Sequence, residues 1–215
     1  MSTLGSVSII DHPLAGNYLR ILRNREIRVA DFRQAMYKLG LLLAVEATRE
    51  LQTTEDQVWT PLDVQATCRY VQDASVMLVP ILRAGLGFLD SFLELLPAAK
   101  VAHIGISRDH MTLEAKPYLD SVPEQTADFD RVIILDPMLA TGNSTTKALE
   151  IITKKGYDPR QITLVNALAV QQGIDQVHSK FPDVHIITGV IDPKLNDQAY
   201  IVPGLGDAGD RLYLF

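Results

Sequence analysis

Arg131-Val132-Ile133-Ile134-Leu135-Asp136-Pro137-Met138-Leu139-Ala140-Thr141-Gly142-Asn143-Ser144-Thr145-Thr146 is the stretch whose reading decides the fold. The apolar run Val132 to Leu135 reads as a buried strand that ends on a carboxylate, passes through small and hydroxylated residues, and opens a helix beginning near Lys147. Backbone N–H groups at a helix start lack intrahelical partners, and with the helix dipole they favour a bound anion. Ala140, Gly142 and Ser144 let a phosphate approach the backbone, and the hydroxyls of Thr141, Ser144, Thr145 and Thr146 can donate to its oxygens. Asp136, at the carboxyl end of the strand, can accept from a pair of sugar hydroxyls. The layout is that of a sugar-phosphate site. The same residues also suit a plain capped turn in an α/β protein, and no G-x-x-x-x-G-K-[ST] loop occurs in the chain, so the ligand reading needs support from elsewhere.

Outward from this segment the chain alternates between strand and helix. Strands are expected at Val76 to Leu82, Val101 to Ile106, Val132 to Leu135, Ile162 to Leu168 and His185 to Ile191, with helices at Leu86 to Leu96, Lys147 to Lys155 and Ile174 to Lys180. This pattern predicts an α/β fold: a mostly parallel twisted sheet flanked by helices, with ligands at the carboxyl ends of the strands. Before it, Val7 to Ile10 reads as a short strand, Pro13-Leu14-Ala15-Gly16 as a turn, and Arg20 to Arg28 as a basic stretch. Asp31 to about Leu51 has the spacing of a long amphipathic helix capped by Asp31, and Thr60-Pro61 reads as the start of another helix through Arg69. Asp109 to Asp128 is polar and broken by Pro117 and Pro123, which predicts a flexible loop or hairpin over the active site. The whole, residues 1–215, is expected to form one domain.

Composition narrows the function. A formal net charge of −6 argues against a nucleic-acid surface, so an anionic small substrate must be met by a local cluster of positive groups. The polar start, Met1 to Ser8, does not read as a secretory signal, and the apolar stretch Leu39 to Val45 is too short to span a bilayer, which together predict a cytoplasmic protein without a membrane partner. Cys68 is the one cysteine, expected to be a core or partly buried thiol. The histidines at 12, 103, 110, 178 and 185 show no metal-ligand spacing, and no metal-ligating residue is assigned. Gly204-Leu205-Gly206-Asp207-Ala208-Gly209 satisfies G-x-G-x-x-G, but six residues follow it, too few for the helix and second strand of a dinucleotide site.

Asp136 to Ser144 resembles the phosphoribosyl diphosphate signature of type I phosphoribosyltransferases, and Asp-Pro-Met-Leu-Ala-Thr-Gly resembles the wording of their uracil phosphoribosyltransferase branch. Val79-Pro80-Ile81-Leu82-Arg83-Ala84-Gly85-Leu86-Gly87 is similar to the family's pyrophosphate loop, and Tyr200 to Arg211 to its uracil-reading loop. The resemblance implies a reaction of pyrimidine salvage, in which uracil and 5-phospho-α-D-ribose 1-diphosphate give UMP and diphosphate. It implies catalytic roles for Arg83, Arg108, Asp136 and Asp207. It further implies a phosphoribosyl diphosphate site built from Arg83, Ala84, Gly85, Arg108, Asp136, Pro137, Met138, Leu139, Ala140, Thr141, Gly142, Asn143, Ser144 and Asp207, and a uracil site built from Tyr200, Ile201, Gly206, Asp207 and Ala208. Mg²⁺ held mainly through the substrate diphosphate, a GTP effector, and a homodimer or homotetramer complete what the family implies.

The chain departs from the family wording at Asn143, where a second glycine is usual and a side chain would crowd the phosphate amides, and at Ser107, a position often aromatic. Two rivals stand beside the uracil reading: a phosphoribosyltransferase for another base such as a purine, and a non-catalytic nucleotide-sensing RNA-binding regulator on the same scaffold. The Pro-Gly-Leu-Gly-Asp-Ala-Gly loop disfavours the first; the acidic balance with Arg83, Asp136 and Asp207 intact disfavours the second.

Overall fold

The computed structural model describes residues 6–108, 115–125 and 128–214, the side chains of Arg108 and Ala115 excepted. Strand β1 (Val7–Ile9) leads into helices α1 (Pro13–Arg23) and α2 (Val29–Ala47), then an antiparallel ribbon of β2 (Thr53–Trp59) and β3 (Gln65–Val71). The alternating core follows: β4 (Val76–Leu82), α3 (Leu86–Leu95), β5 (Lys100–Val101), β6 (Ile104–Arg108), β7 (Ala115–Asp120), β8 (Arg131–Leu135), β9 (Met138–Leu139), α4 (Asn143–Lys154), β10 (Ile162–Val170), α5 (Gln171–Lys180) and β11 (His185–Asp192). The chain closes with β12 (Lys194–Leu195), β13 (Ile201–Val202) and α6 (Ala208–Tyr213).

The main sheet runs β1-β11-β10-β8-β4-β6-β7, parallel throughout except for the edge strand β7. Its central strands are apolar on both faces because both faces are covered. Leu78, Ile133, Leu135 and Val165 pack with Met36, Leu39, Phe88 and Phe92 under α2 and α3. Their neighbours Met77, Val79, Val132, Ile134 and Leu164 pack with Leu149, Ile152, Ile174 and Val177 under α4 and α5. This alternation of period two sends successive side chains of one strand to two separate cores.

The strand order places the site. From β4 the chain crosses through α3 to β6 on one side; from β8 it crosses through α4 to β10 on the other. α3 and α4 lie on opposite faces, so the crossovers diverge and leave a crevice at the adjacent carboxyl ends of β4 and β8. Such a divergence is the place where open parallel sheets bind ligands.

Several expectations need correction. Residues 60–69 are not helical: Thr60 and Val64 close a turn by a 2.9 Å backbone hydrogen bond, Asp63 has φ of 54°, and β2 pairs with β3 from Thr53↔Val71 to Trp59↔Gln65. Pro61 marks a turn there, and the β-branched and aromatic residues around it (Val58, Trp59, Val64, Thr67, Tyr70) favour strands. Cys68 sits exposed on this ribbon, not in the core. Pro13 to Gly16 is the first turn of α1, with Pro13 at its start and the His12 ring accepting from the Leu14 N–H at 3.1 Å. The long helix starts at Val29 and ends at Ala47, with Arg28 and not Asp31 at its cap. α4 begins at Asn143, a turn before Lys147. In the segment 109–128, β7 forms a hairpin with β6, fastened at its far end by Lys155, whose ammonium reaches Asp120 at 2.8 Å and the Val122 carbonyl. Its tip, residues 109–114, lies outside the described residues, as do residues 126 and 127.

The edge strand β1 carries one pH-sensitive tie. Ser8 and the His185 ring of β11 are hydrogen-bonded at 3.0 Å, and burial holds the His185 imidazole below its ordinary range, outweighing the opposing pull of Glu50. The folded state therefore favours the neutral ring, and its contribution is fully present above the unfolded value of about 6.5. It is lost as pH falls through that value towards the lower folded one. Urea midpoints should drop between pH 7 and pH 5, and His185→Gln should show a shallower drop; identical slopes for the two proteins would exclude this linkage.

Candidate active site

Four chain segments converge on a cavity of about 550 Å³ at the crevice between β4 and β8. The β8 segment supplies Asp136, Met138 and the run Ala140 to Thr145; the β4 segment supplies Ile81 to Ala84; the carboxyl-terminal loop supplies Ala199 to Ile201 and Gly206 to Asp210; the hairpin adds Ile106, Ser107 and Tyr118.

Asp136 is buried where β8 ends. One carboxylate oxygen accepts from the Met138 N–H at 3.4 Å and the other from the Thr145 hydroxyl at 3.5 Å, while Asn166 of β10 donates to the Asp136 carbonyl. These contacts orient the carboxylate at the cavity wall. A carboxylate held this way can accept further hydrogen bonds from a vicinal diol.

Beyond it, Gly142 turns the chain into α4 with φ of 79° and, as its N-cap, offers no side chain. The Asn143 N–H donates to the Thr141 hydroxyl at 3.4 Å, and Asn143, Ser144 and Thr145 at the helix start line the cavity, a place suited to an anion. A Cβ on Gly142 would lie 2.9 Å from the Gly173 carbonyl of α5, so the left-handed turn also sits in close contact with its neighbour. Asn143 is the first residue of α4 in ordinary helical geometry; the left-handed position is Gly142.

On β4, the Leu82–Arg83 peptide bond is cis. Arg83 is half exposed, 3.4 Å from the carboxylate of Asp210. An exposed pair of this length is worth under about 1 kcal/mol, so an anionic ligand can displace the carboxylate easily. Gly85 lies beneath this loop, where an added Cβ would stand 2.3 Å from the Leu135 carbonyl; any side chain would wedge the β4 loop off β8.

The third segment carries Tyr200, Ile201, Gly206 and Ala208 to the cavity. Asp207 caps α6, accepting from the Asp210 N–H at 2.9 Å, and the Val202–Pro203 bond is cis.

The structure thus brings to one cavity Arg83, Ala84, Asp136, Met138, Ala140, Thr141, Gly142, Asn143, Ser144, Tyr200, Ile201, Gly206, Asp207 and Ala208. Gly85, Pro137 and Leu139 do not line it: Gly85 packs on β8, the Pro137 carbonyl accepts from the Ala167 and Leu168 amides, and Leu139 is fully buried. Arg108 ends β6 opposite Ala115, and its side chain is outside the described residues. The sequence reading did not single out Asp210, Ala199 or Tyr118. Asp210 follows Asp207 by three residues, the spacing of one helical turn, and Tyr118 is the aromatic residue of β7.

The uracil phosphoribosyltransferase family profile matches residues 9–214. The chain belongs to that family. It is 46% identical over 207 residues to the uracil phosphoribosyltransferase of Thermosipho melanesiensis, covering 96% of this chain and 98% of that one. It is 45% identical over 207 residues to that of Legionella pneumophila strain Lens, covering 96% and 95%. The solved structure of the AQ2163 protein from Aquifex aeolicus superposes with a TM-score of 0.89 at 37% identity, covering 97% of this chain and 98% of that one. An adenine phosphoribosyltransferase from Trypanosoma brucei, solved with AMP, pyrophosphate and ribose-5-phosphate, shares the fold at 14% identity, with a TM-score of 0.55 and coverage of 93% and 89%. The sheet of this chain is the type I phosphoribosyltransferase sheet, and the protein is an enzyme of the glycosyltransferase type.

Gly85→Ala should lower the melting temperature by several degrees, since the methyl group meets backbone and not a yielding side chain. An unchanged melting temperature would show that the β4 loop has slack at its base.

Proposed function

We propose that this cavity converts uracil and 5-phospho-α-D-ribose 1-diphosphate into UMP and diphosphate, in pyrimidine salvage. The observation that carries the reading is the meeting, in one cavity, of an uncapped helix start, a buried carboxylate and an arginine at the ends of two neighbouring parallel strands.

Each part has a place in the reaction. The α4 amides with Thr141, Asn143 and Ser144 hold the 5-phosphate, and Asp136 accepts from the ribose hydroxyls. Arg83 leaves Asp210 for the diphosphate, where its guanidinium forms bidentate bonds, and Arg108 approaches the same group when the hairpin closes. The main chain of Ile201, Gly206 and Ala208 reads the edge of the pyrimidine, flanked by Tyr200. N1 of uracil then attacks the anomeric carbon as the bond to diphosphate breaks, and the N1 proton is lost to solvent; positive charge grows on the sugar and negative charge on the leaving group. The protein contributes position and electrostatic complement, with no nucleophile of its own.

Among the described residues there is no cluster of three or more His, Cys, Asp or Glu fit for a metal ion. Asp136 and Asp207 are hard oxygen donors in the cavity wall, which fits Mg²⁺ carried on the substrate with water between ion and protein. An ion bound there would neutralise charge on the diphosphate.

We also propose a homodimer or homotetramer. A two-stranded ribbon is marginal alone, and β2–β3 is exposed along its length, with Trp59 70% and Leu62 84% exposed near its tip; a second copy of the chain would cover it. A GTP effector is proposed from the resemblance. A cytoplasmic setting suits a multiply charged donor that does not cross bilayers, and no helix among the described residues is long and apolar enough to span one.

Purified protein with Mg²⁺, the donor and single bases should release diphosphate and form UMP with uracil, while IMP or GMP from a purine would overturn the base assignment. Asp136→Asn and Arg83→Ala should each lower turnover by roughly a hundredfold or more in folded protein, the scale for removing a preorganised electrostatic group. Near-wild-type rates in either would remove that residue from the mechanism.

A further inference from the structure

A partly buried ion pair stands behind the base loop, and the reaction as described makes no use of it. Arg23 ends α1 and Asp192 ends β11; the aspartate side chain is 4% exposed. The guanidinium meets the carboxylate as a fork, Nη2 to Oδ1 at 2.7 Å and Nη1 to Oδ2 at 2.9 Å. The same two side chains take both polar atoms of one loop residue: the Gly204 N–H donates to Asp192 at 3.0 Å, and the Gly204 carbonyl accepts from Arg23 at 2.9 Å. Gly204 lies between Ile201 and Gly206, two of the residues that wall the cavity.

Stability alone does not account for such a pair. Removing two charges from water costs about what their attraction returns, and well-packed apolar residues of similar size often serve as well or better. What apolar residues cannot do is hold at once the donor and the acceptor of one residue, which belong to the two peptide groups on either side of its Cα. The pair therefore fixes the loop in height and in rotation. A second arginine works alongside it: Arg211 of α6 donates to the Leu205 carbonyl at 2.7 Å and to the carbonyls of Leu22 and Asn24, on either side of Arg23. The loop is thereby tied to the end of α1 from two directions.

We propose that Arg23 and Asp192 are specificity-determining positioning residues, which set where the main chain of Ile201, Gly206 and Ala208 stands against the base and so set the preference for uracil over cytosine. The inference rests on the uracil reading given under Proposed function. Uracil and cytosine are close in size and shape and differ in the donors and acceptors along one edge, so discrimination depends on main-chain groups that cannot shift to suit the wrong partner. Neither residue lines the cavity, so both act through Gly204.

The test compares wild type with Asp192→Asn and Arg23→Lys, measuring initial rates of UMP formation with each substrate varied, and inhibition by cytosine. Both variants should raise the KM for uracil by roughly tenfold, the effect of losing one charge-assisted hydrogen bond, with the KM for the donor and kcat unchanged. The ratio of the cytosine inhibition constant to the uracil KM should fall in both. An equal rise in both KM values, or an unchanged uracil KM in folded variants, overturns the proposal. Wild-type protein that forms no UMP would instead overturn the uracil reading. Amide exchange in wild-type protein decides the positioning role independently of activity and of whether the variants fold: the Gly204 N–H should exchange with the slow amides of the core strands, and exchange at the rate of an exposed turn would overturn it.

Discussion

The parallel contact between β4 and β8 is what the rest of the molecule is arranged around. Val76 to Pro80 pair in register with Arg131 to Leu135, so the two strands end side by side and their following residues, Arg83 and Asp136, enter the same space. The helices that follow pack on opposite faces of the sheet, which keeps that space open. The strand register sets the arginine and the carboxylate side by side in the wall of one cavity.

The acidity of the chain fits this arrangement. With a net charge of −6 the protein has no broad positive field to draw phosphates, and the proposed reaction rests on groups placed at the crevice, the start of α4 and Arg83 among them. Arg83 rests against Asp210 at 3.4 Å, an exchangeable contact that keeps the cation near its working position. Asp136 accepts at the same crevice from the Met138 amide and the Thr145 hydroxyl.

Much of this could be read from the chain. The apolar runs Val76 to Leu82, Val132 to Leu135 and Ile162 to Leu168 identify buried strands, because only a sheet covered on both faces tolerates such continuous apolarity. The glycine-lightened and hydroxyl-rich segments after them mark where anions are met. The ribbon from Thr53 to Val71 was harder to read: Thr60-Pro61 begins a turn or a helix equally well, and the choice is made by strand pairing across Asp63, a contact between segments. α1 was hidden for a related reason, since its start depends on His12 acting as a cap. Asp210 and the Arg23–Asp192 pair were out of reach because their meaning lies in partners far along the chain, 127 and 169 residues away respectively.

The carboxyl-terminal loop presents peptide groups to its ligand, and its neighbours Arg23, Asp192 and Arg211 hold those groups by hydrogen bonds to the main chain. Main-chain atoms are the same in every residue, so evolution has few single-codon routes to a new ligand at this wall. Retuning it requires a change in the path of the backbone itself, through its glycines, its proline or the struts behind them. Drift in the side chains around the pocket therefore leaves these main-chain groups where they stand.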